Sequence, residues 1–195
     1  MVRASRFSVF LVGVLACFCC GGSPAGEAAA AGTTGDIARI YEAFLSVWLD
    51  GSHSPSNVSK SAELPTSEDV DQYAECAKDN GAKDAHWAKA VPISDLGSVL
   101  DKLSYVRLVD PKTWHAQDPG SLIAKGQSVD SAVDAGFASA LMTLSAITFN
   151  EPHDTAFFTY SFRCGRLCGH GGAVMFKRTS KGWAQSKQSC SSWTS

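Results

Sequence analysis

The chain has 195 residues, 45% hydrophobic and 18% charged, with a net charge of −2. That composition is ordinary for a globular protein, and the length suffices for one domain with a sizeable core. The near-neutral balance, with no lysine/arginine cluster, argues against nucleic-acid binding through phosphate contacts.

The first twenty residues read as an export signal. Arg3 and Arg6 supply a basic start, and Phe7 to Cys20 is an apolar run interrupted only by Ser8 and Gly13. A membrane-spanning helix needs about 20 apolar residues, so this run is short for one. Arg3 and Arg6 are not adjacent, which argues against the twin-arginine route. Two mature starts fit. Val14-Leu15-Ala16-Cys17 resembles a lipobox, in which Cys17 carries the lipid and anchors the protein to a membrane. Alternatively, cleavage after Ala25, in Ser23-Pro24-Ala25, releases a soluble form. The expected location is the outer membrane or cell envelope as a lipoprotein, or otherwise the periplasm or medium. Residues 21–35 are rich in glycine and alanine and are expected to form a flexible tether. Residues 36–195 then form a single globular domain.

Asp36 to Leu49 carries Ile37, Ile40, Tyr41, Phe44, Leu45 and Trp48 at helical spacing. Ser52 to Pro65 is a polar loop with room for a short strand near Val58. Ser67 opens a second helix whose early acids, Glu68, Asp69 and Asp71, complement the helix dipole, and Asn80-Gly81 ends it. Ser94 is expected to cap a short helix running through Leu103, and Tyr105 to Val109 alternates as a strand. Asp118-Pro119-Gly120 is expected to be a turn, and Asp130 to Ala138 a helix.

The last third differs in kind. Leu141 to Phe149 is one expected strand. Thr155 to Arg163 is another, with Phe158, Tyr160 and Phe162 on one face and Phe157, Thr159 and Ser161 on the other. Cys164 to Gly172 reads as a glycine-rich connection, followed by strands over Ala173 to Arg178 and Trp183 to Ser189. The fold class is α+β, with N-terminal helices packed on a C-terminal antiparallel β-meander.

Three of the seven cysteines lie in the signal region, leaving Cys76, Cys164, Cys168 and Cys190. An even set in an exported domain reads as two disulfides. Four cysteines allow three pairings, of which Cys164–Cys168 and Cys76–Cys190 are favoured. The first closes a short loop, and the second pins an early helix to the C-terminal end.

The C-terminal third resembles a family of small, exported, uncharacterised bacterial proteins. The resemblance rests on Leu144-Ser145, Phe149-Asn150, Tyr160, Cys164-Gly165-x-Leu167-Cys168-Gly169-x-Gly171, Gly182-Trp183 and Trp193-Thr194-Ser195. It implies a fold and export but no established activity.

Cys164, Cys168 and His170 have the spacing C-x3-C-x-H, which could hold an ion, with His153 as a further ligand. Cys168 with His170 or His153 could also form a nucleophile–base pair. A disulfide between Cys164 and Cys168 removes both possibilities. The clustered glycines lack the strand-to-helix context of a phosphate cradle. Trp48, Trp87, Trp114, Trp183 and Trp193 could line a carbohydrate or peptide groove. The expectation is therefore a non-enzymatic envelope protein, binding an unknown ligand or envelope partner, with no cofactor. The alternatives are a thiol-dependent hydrolase at Cys168, or a metal-binding module at Cys164, Cys168 and His170.

Overall fold

The computed structural model describes residues 25–49, 55–81, 86–187 and 190–195, with side chains described from Thr33 onward. The export signal, Cys17 and the start of the expected tether lie outside the described residues, as do His53 and Asp84.

The first helix, α1 (Ala25–Trp48), begins within the stretch expected to be a flexible tether. Residues 25–35 of that stretch are helical: four consecutive alanines, Ala28 to Ala31, are strong helix formers and outweigh the interspersed glycines. The helix buries Ile40, Tyr41, Phe44, Leu45 and, just past its end, Leu49. β1 (Ser56–Ser59) follows as the short strand near Val58. Next comes α2 (Ser67–Asp79), which starts on a capping box: Thr66 Oγ1 accepts the Asp69 N–H, and Asp69 accepts the Thr66 N–H.

The expected helix from Ser94 to Leu103 shrinks to one turn, α3 (Gly97–Leu100), opened by the Asp95 carboxylate accepting the Gly97 N–H. β2 (Val106–Val109) leads to α4 (Pro119–Ala124), where a turn was expected. Asp118 is the N-cap and Pro119 the first helical residue, so the tripeptide starts a helix. α5 (Val129–Ala138) is capped by Ser128.

The strand expected over residues 141–149 is broken into β3 (Leu141–Leu144) and β4 (Thr148–Phe149). Between them the Ala146 N–H leaves the ladder to bond the Glu63 carbonyl. β5 (Thr155–Gly165) and β6 (Cys168–Thr179) form the long central hairpin. The glycine-rich segment is thus not a loop: only Arg166 and Leu167 lie between the two strands, and Gly169, Gly171 and Gly172 belong to β6. β7 (Gly182–Gln185) and β8 (Ser191–Thr194) replace the single final strand expected.

The architecture is α+β, a mixed sheet ordered β2-β1-β3-β5-β6-β7, with β4 also on β5 and β8 also on β6. The C-terminal strands pair antiparallel, whereas β1 runs parallel to β2 and β3.

Strand alternation decides the two faces. Phe158 meets Tyr41 and Phe44 of α1 edge-on, with ring centroids 5.3 and 5.1 Å apart. Phe157, one residue earlier, stacks on Tyr73 of α2 at 5.0 Å. The main core lies under α1, and a smaller cluster of Tyr73, Cys76, Ala77, Phe157, Ala173 and Met175 lies under α2. α1 therefore covers its face along Phe158, Tyr160 and Phe162, whereas α2 covers only part of the other. Two disulfides, Cys76–Cys190 and Cys164–Cys168, complete the frame, with Cα separations of 5.2 and 5.1 Å.

Candidate functional site

The residues singled out by sequence do not converge. Cys168 is bonded to Cys164 at the tip of the β5–β6 hairpin, so neither sulfur is a thiolate available to attack or to hold an ion. His170 shares a hydrogen bond between its Nδ1 and the Tyr160 hydroxyl, 2.8 Å away, beside the Trp48 ring. Burial pushes the Tyr160 phenol upward, only partly offset by the Trp48 side chain. His153 sits at the other end of the sheet, on the turn after β4, and bonds Asp36, which Arg178 also contacts. Arg178 and His170 are eight positions apart on β6, roughly 25 Å at about 3.3 Å per residue. His153 therefore cannot join Cys168 and His170 at one centre. Among the described residues no group of three or more metal-ligating side chains comes together.

Asp36, given no site role by the sequence, gathers partners from three directions. Its carboxylate takes a hydrogen bond from Arg178 and one shared with His153 Nε2 at 3.0 Å. His153 adopts a positive φ of 56° and stacks on Phe149 at 4.2 Å. Arg178 covers the Trp183 ring at 5.0 Å. Burial raises the Asp36 pKa, but the Trp183 and His153 side chains and the Arg178 charge overcome it and hold the carboxyl below its ordinary value. This knot fastens α1 to the end of the sheet.

The tryptophans are dispersed as well. Trp48 packs on Tyr160 and Phe162, Trp87 on Phe157, Trp114 donates to the Ser139 carbonyl, and Trp183 belongs to the Asp36 knot. Trp48 borders a small hollow beside Tyr160 and His170, whereas Trp193 faces a larger open groove, so the described tryptophans do not line one groove together.

That groove lies on the part of the sheet that α2 leaves bare and has a volume of about 690 Å³. Its floor is built from hydroxyls: Ser59 on β1, Thr143 on β3, Thr159 and Ser161 on β5, and Ser145 beyond β3. Thr143 and Ser161 are directly paired across the strands, both half-buried. The Tyr73 hydroxyl of α2, fully buried, lies close to Ser145 and Thr159 without a well-formed hydrogen bond to either. Burial pushes its pKa up to about 12.

One end of the groove is formed by Trp193 with the Arg163 guanidinium 5.9 Å over its ring. The indole lies flat on Gly171, where a Cβ would come within 2.5 Å of it. Gly171 is therefore required by close approach, and Trp193 is held by pairing with it across β6 and β8. A second hollow, about 590 Å³ and bordered by Ala116, Asp118 and Arg166, shares Arg163 and Trp193 with the first. Among the described residues Arg163, Arg166 and Lys112 form no ion pair. Glu63, Glu68 and Asp69 line the same groove, Asp69 being committed to the Thr66 cap.

The groove has the size of a small-molecule site, and its lining mixes hydroxyls and charged groups with apolar surface. The alternation of Thr159 and Ser161 against Phe158, Tyr160 and Phe162 was the sequence signal for it. The positions of Ser59, Thr143 and Trp193 beside them depend on long-range pairing. Fold and groove define an α+β domain with one sheet face partly open. No family model, curated protein or solved structure matches the chain. No helix among the described residues is long and apolar enough to cross a membrane.

Proposed function

We propose that this chain is an exported, non-enzymatic binding domain of the bacterial cell envelope, and that the open hydroxyl-lined groove is its binding surface. The observation that carries the reading is the groove itself: a concave, half-walled sheet face ending on a fixed indole and a guanidinium with no ion-pair partner among the described residues. The committed state of the catalytic-looking side chains supports it. Cys168 is oxidised, His170 bonds Tyr160 and His153 bonds Asp36. Two disulfides accord with the export signal, since such bonds persist in oxidising compartments. Cys17 as a lipid site makes the protein a membrane-anchored lipoprotein, and cleavage after Ala25 makes it periplasmic or secreted. The intact mass of the mature, non-reduced protein separates these two forms.

Binding is tested by thermal shift against a library of water-soluble metabolites and oligosaccharides. The control is Ser161→Trp, which fills the groove. At least one compound is expected to raise the melting temperature of the wild type but not of Ser161→Trp. A library without any such compound refutes the reading.

A further inference from the structure

We infer that Cys164 and Cys168 act as a self-correcting thiol pair during oxidative folding: whichever of them first joins Cys76, the other displaces Cys76 and frees it for Cys190. The inference rests on the export reading and is independent of the groove.

The two disulfides are nested. Cys76 bonds Cys190, and Cys164–Cys168 lies wholly between them in the chain. A chain delivered from its N-terminus presents Cys76 first, Cys164 next, Cys168 four residues later and Cys190 last. The earliest partners offered to Cys76 are therefore the wrong ones. Its native partner also arrives late in folding. Cys76 packs with Phe157 of β5 and with Ala173 and Met175 of β6. Cys190 immediately precedes β8, which pairs with β6. Cys76 and Cys190 thus meet over a hairpin that has already formed.

The chemistry runs in balanced steps. A protein disulfide of the oxidising compartment takes two electrons from the Cys76 and Cys164 thiols, joins them, and leaves as a dithiol. The Cys168 thiolate then attacks Cys164 Sγ. The Cys164–Cys168 bond forms, the Cys76–Cys164 bond breaks, and Cys76 leaves as a thiolate that takes up a proton. An oxidant of the same class later joins Cys76 to Cys190. If Cys76 first takes Cys168, Cys164 attacks with the same balance.

Geometry drives this exchange in the native direction. Replacing a loop of about 90 residues by one of separation 4 gains about a hundredfold from loop entropy. The β5–β6 register, paired from Thr155↔Lys177 to Arg163↔Gly169, then holds Cys164 and Cys168 at a Cα separation of 5.1 Å. Cys168 is half-buried beside the exposed Leu167, whereas Cys164 is buried. Closing the hairpin therefore shields Cys164 from a returning Cys76 thiolate.

The test follows the full chain, expressed with its own first 25 residues in a bacterial envelope, by isotope pulse labelling. Thiols are blocked with acid and iodoacetamide at intervals, and disulfide-linked peptides are mapped by mass spectrometry. The wild type is expected to show Cys76–Cys164 or Cys76–Cys168 briefly, before Cys76–Cys190 appears. Cys168→Ser is expected to accumulate Cys76–Cys164 at least tenfold above the wild type, and Cys164→Ser to accumulate Cys76–Cys168. The double variant lacks the same hairpin bond but has no competing thiol, and is expected to form Cys76–Cys190 directly. Cys76–Cys190 forming in both single variants at the wild-type rate overturns the inference. So does a double variant that fails to form Cys76–Cys190, because the hairpin bond then acts only as a staple. A precursor retained inside the cell with its thiols free refutes the export reading, and the inference falls with it. Exported chains in which Cys76 is never misjoined refute the inference alone.

Discussion

The two disulfides are expected to contribute unequally, and the difference follows from chain topology. Cys76–Cys190 spans 114 residues, whereas Cys164–Cys168 spans four. In the chain-entropy treatment the longer loop removes about 16 cal/mol/K from the unfolded chain and the shorter about 6. At 25 °C these amount to about 4.8 and about 1.9 kcal/mol, a gap of about 3 kcal/mol. The perturbation is the paired replacement Cys76→Ser with Cys190→Ser, compared with Cys164→Ser and Cys168→Ser. Urea unfolding followed by circular dichroism gives both the midpoint and its slope. The first variant is expected to lose more stability and to unfold with a steeper slope, since its denatured chain expands further. Both cysteine pairs bury at least one sulfur-bearing residue, Cys76 at 6% and Cys164 at 1% exposure. The cost of placing serine there is therefore similar in the two variants and largely cancels in the comparison. Equal losses, or a greater loss from the hairpin pair, would refute the reasoning.

Three further outcomes follow from the same geometry. Phe158→Ala empties the contact with Tyr41, Phe44 and Phe176 and is expected to cost about 3 to 5 kcal/mol, read from the same unfolding curves. Asp36 has a folded pKa below its ordinary 3.8, so its stabilising effect is fully present above that value and is lost as pH falls through the lowered one. Asp36→Asn should therefore destabilise the protein at pH 7 and flatten the acid limb of the stability–pH curve; an unchanged acid limb contradicts the assignment. Gly171→Ala places a methyl against the indole and is expected to lift Trp193, red-shifting its emission in a variant that retains only that tryptophan, at a cost of about 1 to 3 kcal/mol.

Much of the scaffold was legible in local pattern. Helical spacing from Ile37 to Trp48 marked the covering helix, and alternation from Thr155 to Arg163 marked the central strand and its two faces. Capping chemistry was partly missed. Asp118-Pro119 has the same form as many turns, and only the helical continuation through Ala124 makes it an N-terminus. The glycines of β6 were misread because glycine signals a loop from sequence alone. Here Gly171 and Gly172 make room for β8, which pairs with them from twenty residues downstream. The Asp36–His153–Arg178 knot joins residues 117 and 142 positions apart, so no local pattern announces it. The parallel pairing of β1 with β2 and β3 is equally non-local.

An antiparallel sheet commonly leaves one face to solvent, so a row of serines and threonines is not by itself a site. What distinguishes this face is how its walls are held. α2 contributes Glu68, Asp69 and Gln72 to the groove, and β8 contributes Ser191 and Trp193. Cys76 lies on α2 and Cys190 immediately precedes β8, so the long disulfide ties one wall to the other. The Ser191 hydroxyl donates to Gln72 Oε1 at 3.1 Å and repeats the tie one residue further on. If the bridge served only to restrict the unfolded chain, any two distant surface points would do. Its placement between the two walls also fixes the separation at which Trp193 faces the hydroxyl floor. A rigid groove of set width loses less conformational entropy on occupation than one that must close around its ligand. The same covalent bond therefore links the oxidising compartment of the proposed export to the geometry of the proposed binding face.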